Sequence, residues 1–151
     1  MAVSESGFRG PQVCKIVGIT YRQLDYWART DLVRPSVMDA AGSGTQRLYS
    51  FRDLLELKVI KQMLDAGIAL QSARRAVESL RTFKKDLASA QIVIQGTTVV
   101  LAESDQQVMD LLRSGQGMLS MVLPVEPLQQ TITDAVQLSF DTGDTPRAAA
   151  Q

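Results

Sequence analysis

The sequence predicts an α+β protein, with a helical N-terminal part followed by a small mixed α/β C-terminal part. Apolar residues recur at helical spacing up to about residue 81, and two short apolar runs typical of strands, QIVI and TVVL, then follow. Residues 1–86 hold 14 Lys+Arg and 9 Asp+Glu, a net charge of +5. Residues 87–151 hold 2 Lys+Arg and 7 Asp+Glu, a net charge of −5. This asymmetry favours a nucleic-acid-binding part joined to a part with another role.

Length and composition place the chain among globular proteins. It has 151 residues, enough for one ordinary domain or two small ones, and is 45% hydrophobic and 21% charged. The longest uninterrupted apolar run is four residues long, which excludes a membrane-spanning helix. The N-terminal stretch MAVSESGFRGP lacks the apolar core of a signal peptide, so we expect a cytoplasmic protein.

The residue types present exclude several kinds of chemistry. The chain contains one cysteine, Cys14, and no histidine. Zinc sites built from Cys and His, and nucleophiles assisted by histidine, therefore cannot form. There is also no glycine-rich phosphate loop and no close pair of acids bracketed by turn residues. We predict a protein that is not an enzyme and that needs no metal or cofactor, with Cys14 acting as a small buried hydrophobe.

The first elements form a helix-turn-helix pattern. Residues 1–10 are predicted to be a flexible lead, and a short helix follows over residues 11–17, where the leading proline suits a first helical turn. Gly18 ends this helix. Thr20 and Gln23 then form the capping box of a second helix. Two helices joined by a tight turn that contains glycine are typical of DNA-binding domains.

A wing and two more helices are predicted next. Pro35 opens an extended segment, AAGSGT is a flexible loop, and QRLYS alternates in polarity like a strand. This pattern predicts a two-stranded hairpin with a mobile tip. Ser50 and Asp53 cap a third helix, Gly67 ends it, and a fourth helix follows. The whole is a winged helix-turn-helix domain over residues 11–83.

The second region, residues 88–140, is predicted to be a small α+β domain. Its two apolar strands are followed by a helix that Ser104 and Gln107 cap, by a third strand within MLSMVL, and by a last helix over residues 127–139. Residues 141–151 are polar and small, and we expect a disordered tail there.

The apolar residues of these strands lie on both faces of the predicted sheet, which therefore needs two covers. The helix after the second strand can cover one face. The last helix can cover the other face or pack against a second subunit. We expect this dimerisation or regulatory domain to hold a homodimer together, and a self-contained monomeric lid is the alternative.

The stretches DLVRP, QRLYS, FRDLLELKVIKQM and DAGIAL, in this order, resemble the MerR family of transcription regulators. The positions that match the family pattern are Leu24, Tyr26, Trp27, Leu32, Val33, Pro35, Arg47, Tyr49, Gly67 and Leu70. Asp25 departs from the pattern, because relatives carry arginine there, and the wing glycine is displaced to Gly44 or replaced by Thr45.

The region after Phe83 also departs from the common family pattern, because strands replace the usual long coiled-coil helix. The chain thus resembles a smaller subgroup with a compact mixed C-terminal domain. Some members of that subgroup are linked to cell-division genes in actinobacteria, and the resemblance extends this expectation to the present chain.

The predicted DNA contacts lie at the start of the second helix and on the wing. A recognition helix usually meets bases with its N-terminal residues, where arginine pairs with guanine and glutamine with adenine. With the resemblance, this gives seven candidate DNA-binding residues: Thr20, Tyr21, Arg22, Gln23, Tyr26, Arg47 and Tyr49. Tyr26 is open between a core position and a phosphate contact, and Trp27 is expected in the core. Arg74, Arg75 and Arg81 are expected to form a solvated helix face.

The leading functional hypothesis is a sequence-specific, DNA-binding transcription regulator that acts as a homodimer on an operator with two half-sites. Its expected partners are double-stranded DNA, a second copy of the chain and, as a further candidate, RNA polymerase. The alternative is an adaptor or architectural module that binds DNA loosely or binds another protein. An enzyme is the least favoured class.

Overall fold

The computed structural model describes residues 7–39 and 47–141; residues 1–6 of the predicted lead, the predicted wing tip and residues 142–151 of the predicted tail lie outside this part. The N-terminal elements are strand β1 (Phe8–Arg9), helices α1 (Gly10–Val17) and α2 (Tyr21–Arg29), strand β2 (Leu48–Tyr49), and helices α3 (Phe51–Asp65) and α4 (Leu70–Thr82). The C-terminal elements are a 3₁₀ turn (Leu87–Ser89), strands β3 (Gln91–Gln95) and β4 (Thr98–Ala102), helix α5 (Asp105–Ser114), strand β5 (Ser120–Pro124) and helix α6 (Val125–Asp141). The predicted α+β class is confirmed.

The helix starts follow from local side-chain chemistry. The Thr20 hydroxyl accepts a hydrogen bond from the Gln23 backbone N–H at 3.1 Å, and the Thr20 N–H donates to the Gln23 amide oxygen at 3.0 Å. Ser50 and Asp53 form the same reciprocal pair at the start of α3, at 3.1 and 2.9 Å. Because each cap satisfies otherwise unpaired helix N–H groups, both predicted starts are confirmed.

The beginning of the chain is more ordered than predicted. Strand β1 pairs antiparallel with β2, and Phe8 is buried against the domain core. On the other edge of β2, Leu48 exchanges backbone hydrogen bonds with Met38 at 2.7 and 3.1 Å. The expectation of a flexible lead over residues 1–10 is therefore wrong for residues 7–10, because a buried aromatic ring and a strand pairing fix them.

The C-terminal sheet is antiparallel with strand order β4-β3-β5. One face, which includes Ile92 and Leu123, belongs to the same core as the N-terminal helices, and α4 packs along β4. The opposite face carries Val93 and Ala102, against which Val108 of α5 packs. Both apolar faces are thus covered within one chain, so the sheet itself does not require a second subunit.

The last helix does not take the first of its two predicted positions, on a face of the sheet. Helix α6 packs against α1, α3 and the 3₁₀ turn, and it buries Val125, Leu128 and Ile132 there. These residues extend the hydrophobic cluster that begins with Phe8 and Val13. The winged domain and the C-terminal region therefore share one continuous core.

An ion pair with one buried member ties three elements together. Glu56 of α3 is buried, and Arg81 of α4 binds both of its carboxylate oxygens, at 2.8 and 3.1 Å. Arg81 also donates to the carbonyl of Leu32, just beyond α2, at 3.2 Å. Arg75 donates to the carbonyl of Thr97 in the β3–β4 turn at 2.7 Å. The expectation of a purely solvated arginine face is wrong for Arg81, because the buried Glu56 carboxylate holds it. Arg75 is exposed, as expected, and its acceptor Thr97 is exposed as well.

We predict that Arg81→Ala lowers the free energy of unfolding by about 2–4 kcal/mol, because it leaves the Glu56 carboxylate buried without its bidentate partner. Arg113→Ala is the control, since Arg113 forms only an exposed pair with Asp110, at 3.7 Å, and should cost less than about 0.5 kcal/mol. Urea unfolding of both variants measures the difference. Equal losses would show that the Glu56–Arg81 pair is no more important than a surface pair.

Candidate nucleic-acid interface

Helix α2 has two distinct faces. Leu24, Trp27 and Ala28 are buried in the core, as expected for Trp27. Tyr21 is 57% exposed and Tyr26 is 50% exposed on the other side. The 3.6-residue period of the helix separates these sets, so one side packs the domain and the other meets solvent. Tyr26, which the sequence left open between the core and the surface, lies on the surface.

The first turn of α2 presents the predicted base-reading residues. Thr20, Arg22 and Gln23 are all exposed. The amide oxygen of Gln23 is occupied by the Thr20 cap, so a two-bond pairing with adenine requires the release of that bond. Among the residues that the structure describes, no acidic side chain lies within ion-pair distance of Arg22. Arg22 is therefore the residue of this turn best placed to pair with a base.

The predicted wing contact, Arg47, is held by the recognition helix. Its side chain is only 16% exposed, and its Nη1 donates to the Asp25 carboxylate at 2.8 Å. Its Nε atom is buried and has no hydrogen-bond partner among the described residues. Burial is the largest single effect and lowers the pKa of Arg47. The hydrogen bond to Asp25, together with the charge interactions with Tyr49, Asp25 and Tyr21, outweighs it, so the pKa lies above its ordinary value. Arg47 is thus anchored to α2 in the unbound protein.

Asp25 lies between two cations. Its second oxygen accepts a hydrogen bond from Arg29 at 2.9 Å, four residues along the same helix. The hydrogen bonds from Arg47 and then Arg29 hold the pKa of the Asp25 carboxyl below its ordinary range. The carboxylate is therefore ionised at neutral pH, and it offsets positive charge on the surface predicted to meet DNA.

Tyr49 is in the core. Alternation along β2 turns its ring inward, where it is fully buried, while Leu48 stays partly exposed. Burial raises the pKa of Tyr49 well above its ordinary value, and its hydroxyl has no hydrogen-bond partner among the described residues. The prediction that Tyr49 contacts DNA is corrected, because a fully buried ring does not reach a phosphate.

The winged part of the chain matches a known family. Residues 8–80 match the family model described as MerR HTH family regulatory protein. Residues 8–80 form a MerR-family helix-turn-helix domain. This finding confirms the resemblance drawn from the sequence motifs.

Three relatives share similarity beyond the MerR-family domain. Two from strains of Mycobacterium tuberculosis and one from Mycobacterium bovis are each named as an uncharacterized HTH-type transcriptional regulator. Each is 54% identical to this chain over 118 residues, which cover 78% of this chain and 52% of the relative. The chain therefore spans about half the length of these relatives. An alignment of 118 residues exceeds the matched domain, so the similarity also includes part of the C-terminal region.

Helix α2 also carries an exposed cation that the sequence analysis did not select. Arg29 is 62% exposed on α2 and pairs with Asp25. The four-residue spacing of Asp25 and Arg29 is a signal that could have identified this pair. The bond between Asp25 and Arg47 has no such signal, because it joins residues 22 positions apart.

The remaining chemistry of the described residues is limited. They contain no group of three or more His, Cys, Asp or Glu side chains that could hold a metal ion. Within residues 7–39 and 47–141, no helix is both long and apolar enough to cross a membrane. Cys14 is partly buried, and burial raises the pKa of its thiol, which favours the less reactive protonated form.

We expect Tyr49→Phe to change the free energy of unfolding by less than about 1 kcal/mol and to leave DNA affinity unchanged, because the lost hydroxyl has no partner. Tyr26→Phe is the matched variant, because it makes the same replacement at an exposed hydroxyl on the solvent-facing side of α2. Thermal unfolding and fluorescence anisotropy with a labelled duplex measure both quantities. A tenfold loss of DNA affinity in folded Tyr49→Phe would restore Tyr49 as a DNA contact.

Proposed function

We propose that this chain is a sequence-specific, DNA-binding transcription regulator that acts as a homodimer on an operator with two half-sites. The observation that carries the proposal is the two-sided recognition helix, whose first turn exposes Tyr21 and Arg22 while Leu24 and Trp27 fix the helix in the core. Residues 9–85 hold 14 basic and 7 acidic side chains, a net charge of +7 that favours the DNA backbone.

Three exposed residues of α2 have roles in this proposal. The first turn enters the major groove, where Arg22 pairs with guanine through two hydrogen bonds. The Tyr21 and Tyr26 hydroxyls donate hydrogen bonds to phosphates. The helix N-terminus at Thr20 also contacts a phosphate. Phosphate contacts set the register of the protein on the duplex, and Arg22 supplies sequence discrimination.

The homodimer requires a surface other than the faces of the sheet, since α4 and α5 already cover both faces. Leu119 is 92% exposed and Met118 is 52% exposed, and both precede β5, which is an edge strand. We use the term β5 edge for Met118, Leu119 and the side of β5 that faces away from β3. Edge strands with exposed apolar residues are templates for pairing with another chain. Antiparallel pairing of two β5 edges creates the twofold axis that a palindromic operator requires.

The relatives support regulation of transcription as the purpose of DNA binding, because all three are named as transcriptional regulators. Action on DNA in a bacterium places the protein in the cytoplasm, where RNA polymerase is a candidate partner. The relatives come from mycobacteria, which are actinobacteria, so cell-division genes are the first targets to examine.

The experiment that tests the proposal is selection of fragmented genomic DNA on the purified protein, followed by sequencing and competition binding. We expect enriched fragments to share two half-sites in inverted orientation. The selected duplex should bind at least about 10³-fold more tightly than a shuffled duplex at the same salt concentration. Equal affinity for both duplexes would contradict sequence-specific regulation and favour a loosely binding architectural module.

Arg22→Ala should weaken binding to the selected duplex by about 1–3 kcal/mol and relax the preference at one base pair in each half-site. Binding to the shuffled duplex should change far less, because no specific base contact exists there. Arg113→Ala removes the same charge from α5 and should leave both affinities unchanged. If Arg22→Ala weakens both duplexes equally, Arg22 contacts phosphate and does not read a base.

Leu119→Asp should convert the dimer to a monomer without unfolding it, because the side chain contributes almost nothing to the core. Affinity for a duplex with two half-sites should fall, while affinity for a single half-site should not. Leu138→Asp introduces the same change at another exposed leucine, on α6, and should remain dimeric. Light scattering of the wild type and both variants gives their masses. A monomeric wild type, or a dimeric Leu119→Asp variant, would refute the β5-edge dimer.

A further inference from the structure

Asp25 is a negative charge at the centre of a surface that is otherwise suited to DNA. One carboxylate oxygen accepts from Arg47 at 2.8 Å and the other accepts from Arg29 at 2.9 Å. The first bond joins the wing to the recognition helix, and the second lies along the helix itself. A single side chain therefore binds two cations, one on the recognition helix and one at the base of the wing.

The three side chains differ in how freely they can move. The Arg47 side chain is 16% exposed, so the surrounding core restricts it, whereas Arg29 is 62% exposed. Asp25 lies between these values, at 31%. The bond to Asp25 thus fixes the base of the wing against α2. On Arg29, Asp25 occupies the Nε–H and places a negative charge beside the exposed remainder of the guanidinium.

We propose that Asp25 is a positioning and specificity-determining residue, which holds Arg29 and Arg47 in place and withholds them from the DNA backbone. The inference rests on the proposed DNA binding. A phosphate that approaches either arginine must compete with a carboxylate already bonded to it, and it also meets the repulsion of that carboxylate. Arg22 carries no such restraint among the described residues, so base reading is unaffected.

The consequence differs between random and selected DNA. Random DNA is bound through phosphates alone, so the withheld arginines lower its affinity directly. Selected DNA also gains the base contacts of α2, which need the helix and the wing in one fixed arrangement. Asp25 therefore suppresses non-specific binding while it preserves the geometry for specific binding.

The test compares Asp25→Asn with the wild type on a random duplex and on the selected duplex over a range of salt concentrations. Release of one or two arginines should add one or two phosphate contacts on random DNA. Between 50 and 200 mM salt, Asp25→Asn should then lose roughly 3-fold to 12-fold more of its affinity for random DNA than the wild type loses. Affinity for random DNA should rise at low salt, while affinity for the selected duplex should not, so the specificity ratio falls.

Two matched variants separate this role from a general charge effect. Asp110→Asn makes the same change of net charge at the exposed pair with Arg113 on α5 and should behave as the wild type. Asp25→Glu keeps the negative charge and should largely restore the specificity ratio. An unchanged salt dependence in Asp25→Asn, or equal tightening on both duplexes, would overturn the proposal.

A further variant keeps the test decisive if Asp25→Asn is poorly folded. Arg29→Gln in the otherwise wild-type chain changes an exposed residue, so folding is preserved. If Asp25 withholds Arg29, this variant should bind random DNA with the salt dependence of the wild type. A weaker dependence, by about one phosphate contact, would show that Arg29 already binds the backbone and would overturn the proposal. Equal affinity of the wild type for the selected and random duplexes would instead refute the proposed function itself.

Discussion

Burial of helix α3 on nearly all sides is the constraint on which the rest of the structure depends. Its buried apolar residues are Leu54, Leu55, Leu57, Val59, Ile60 and Met63. A helix buried on nearly all sides needs partners on nearly all sides, and α1, α4 and α6 supply them. Because α6 belongs to the C-terminal region, the MerR-family domain does not complete the packing around α3 alone. The two regions predicted as separate domains are therefore parts of one packing unit.

Polar contacts made by α3 fix the exit of the recognition helix and the segment that follows it. Asp53 accepts hydrogen bonds from the Ser36 N–H at 2.7 Å and from its hydroxyl at 2.8 Å, which fixes the segment that leads into the wing. Arg81 joins Glu56 to the carbonyl of Leu32 at the exit of α2. A recognition helix held at its exit and along its inner face is preorganised, so binding DNA costs less ordering of the protein.

Sequence reasoning succeeded where the determining chemistry is local. The capping boxes at Thr20 and Ser50, and the cap at Ser104, each depend on residues three positions apart, and all are present in the structure. Helical periodicity likewise separated the buried Trp27 from the exposed first turn of α2. Periodicity shows that a face is apolar but does not show what covers it, and for this reason the docking of α6 on α3 was not foreseen.

The incorrect predictions for Tyr49 and Phe8, and the unpredicted bond of Arg47, share a different cause. Tyr49 matches a family motif, yet a motif does not state on which side of a two-residue strand a ring lies. Phe8 precedes the first helix, and its pairing partner in β2 lies about forty residues later in the chain. The bond between Arg47 and Asp25 also needs the tertiary fold. Such long-range contacts have no signature in a single sequence.

The central claim, that the first turn of α2 meets DNA while its opposite face stays in the core, is tested most directly by NMR titration. Isotope-labelled protein would be titrated with a selected duplex, and the amide shift changes mapped onto the chain. The largest changes should fall on Tyr21, Arg22 and Gln23, with smaller changes around Arg47. Shift changes confined to the sheet and α6, with the first turn of α2 unaffected, would contradict this account of the protein.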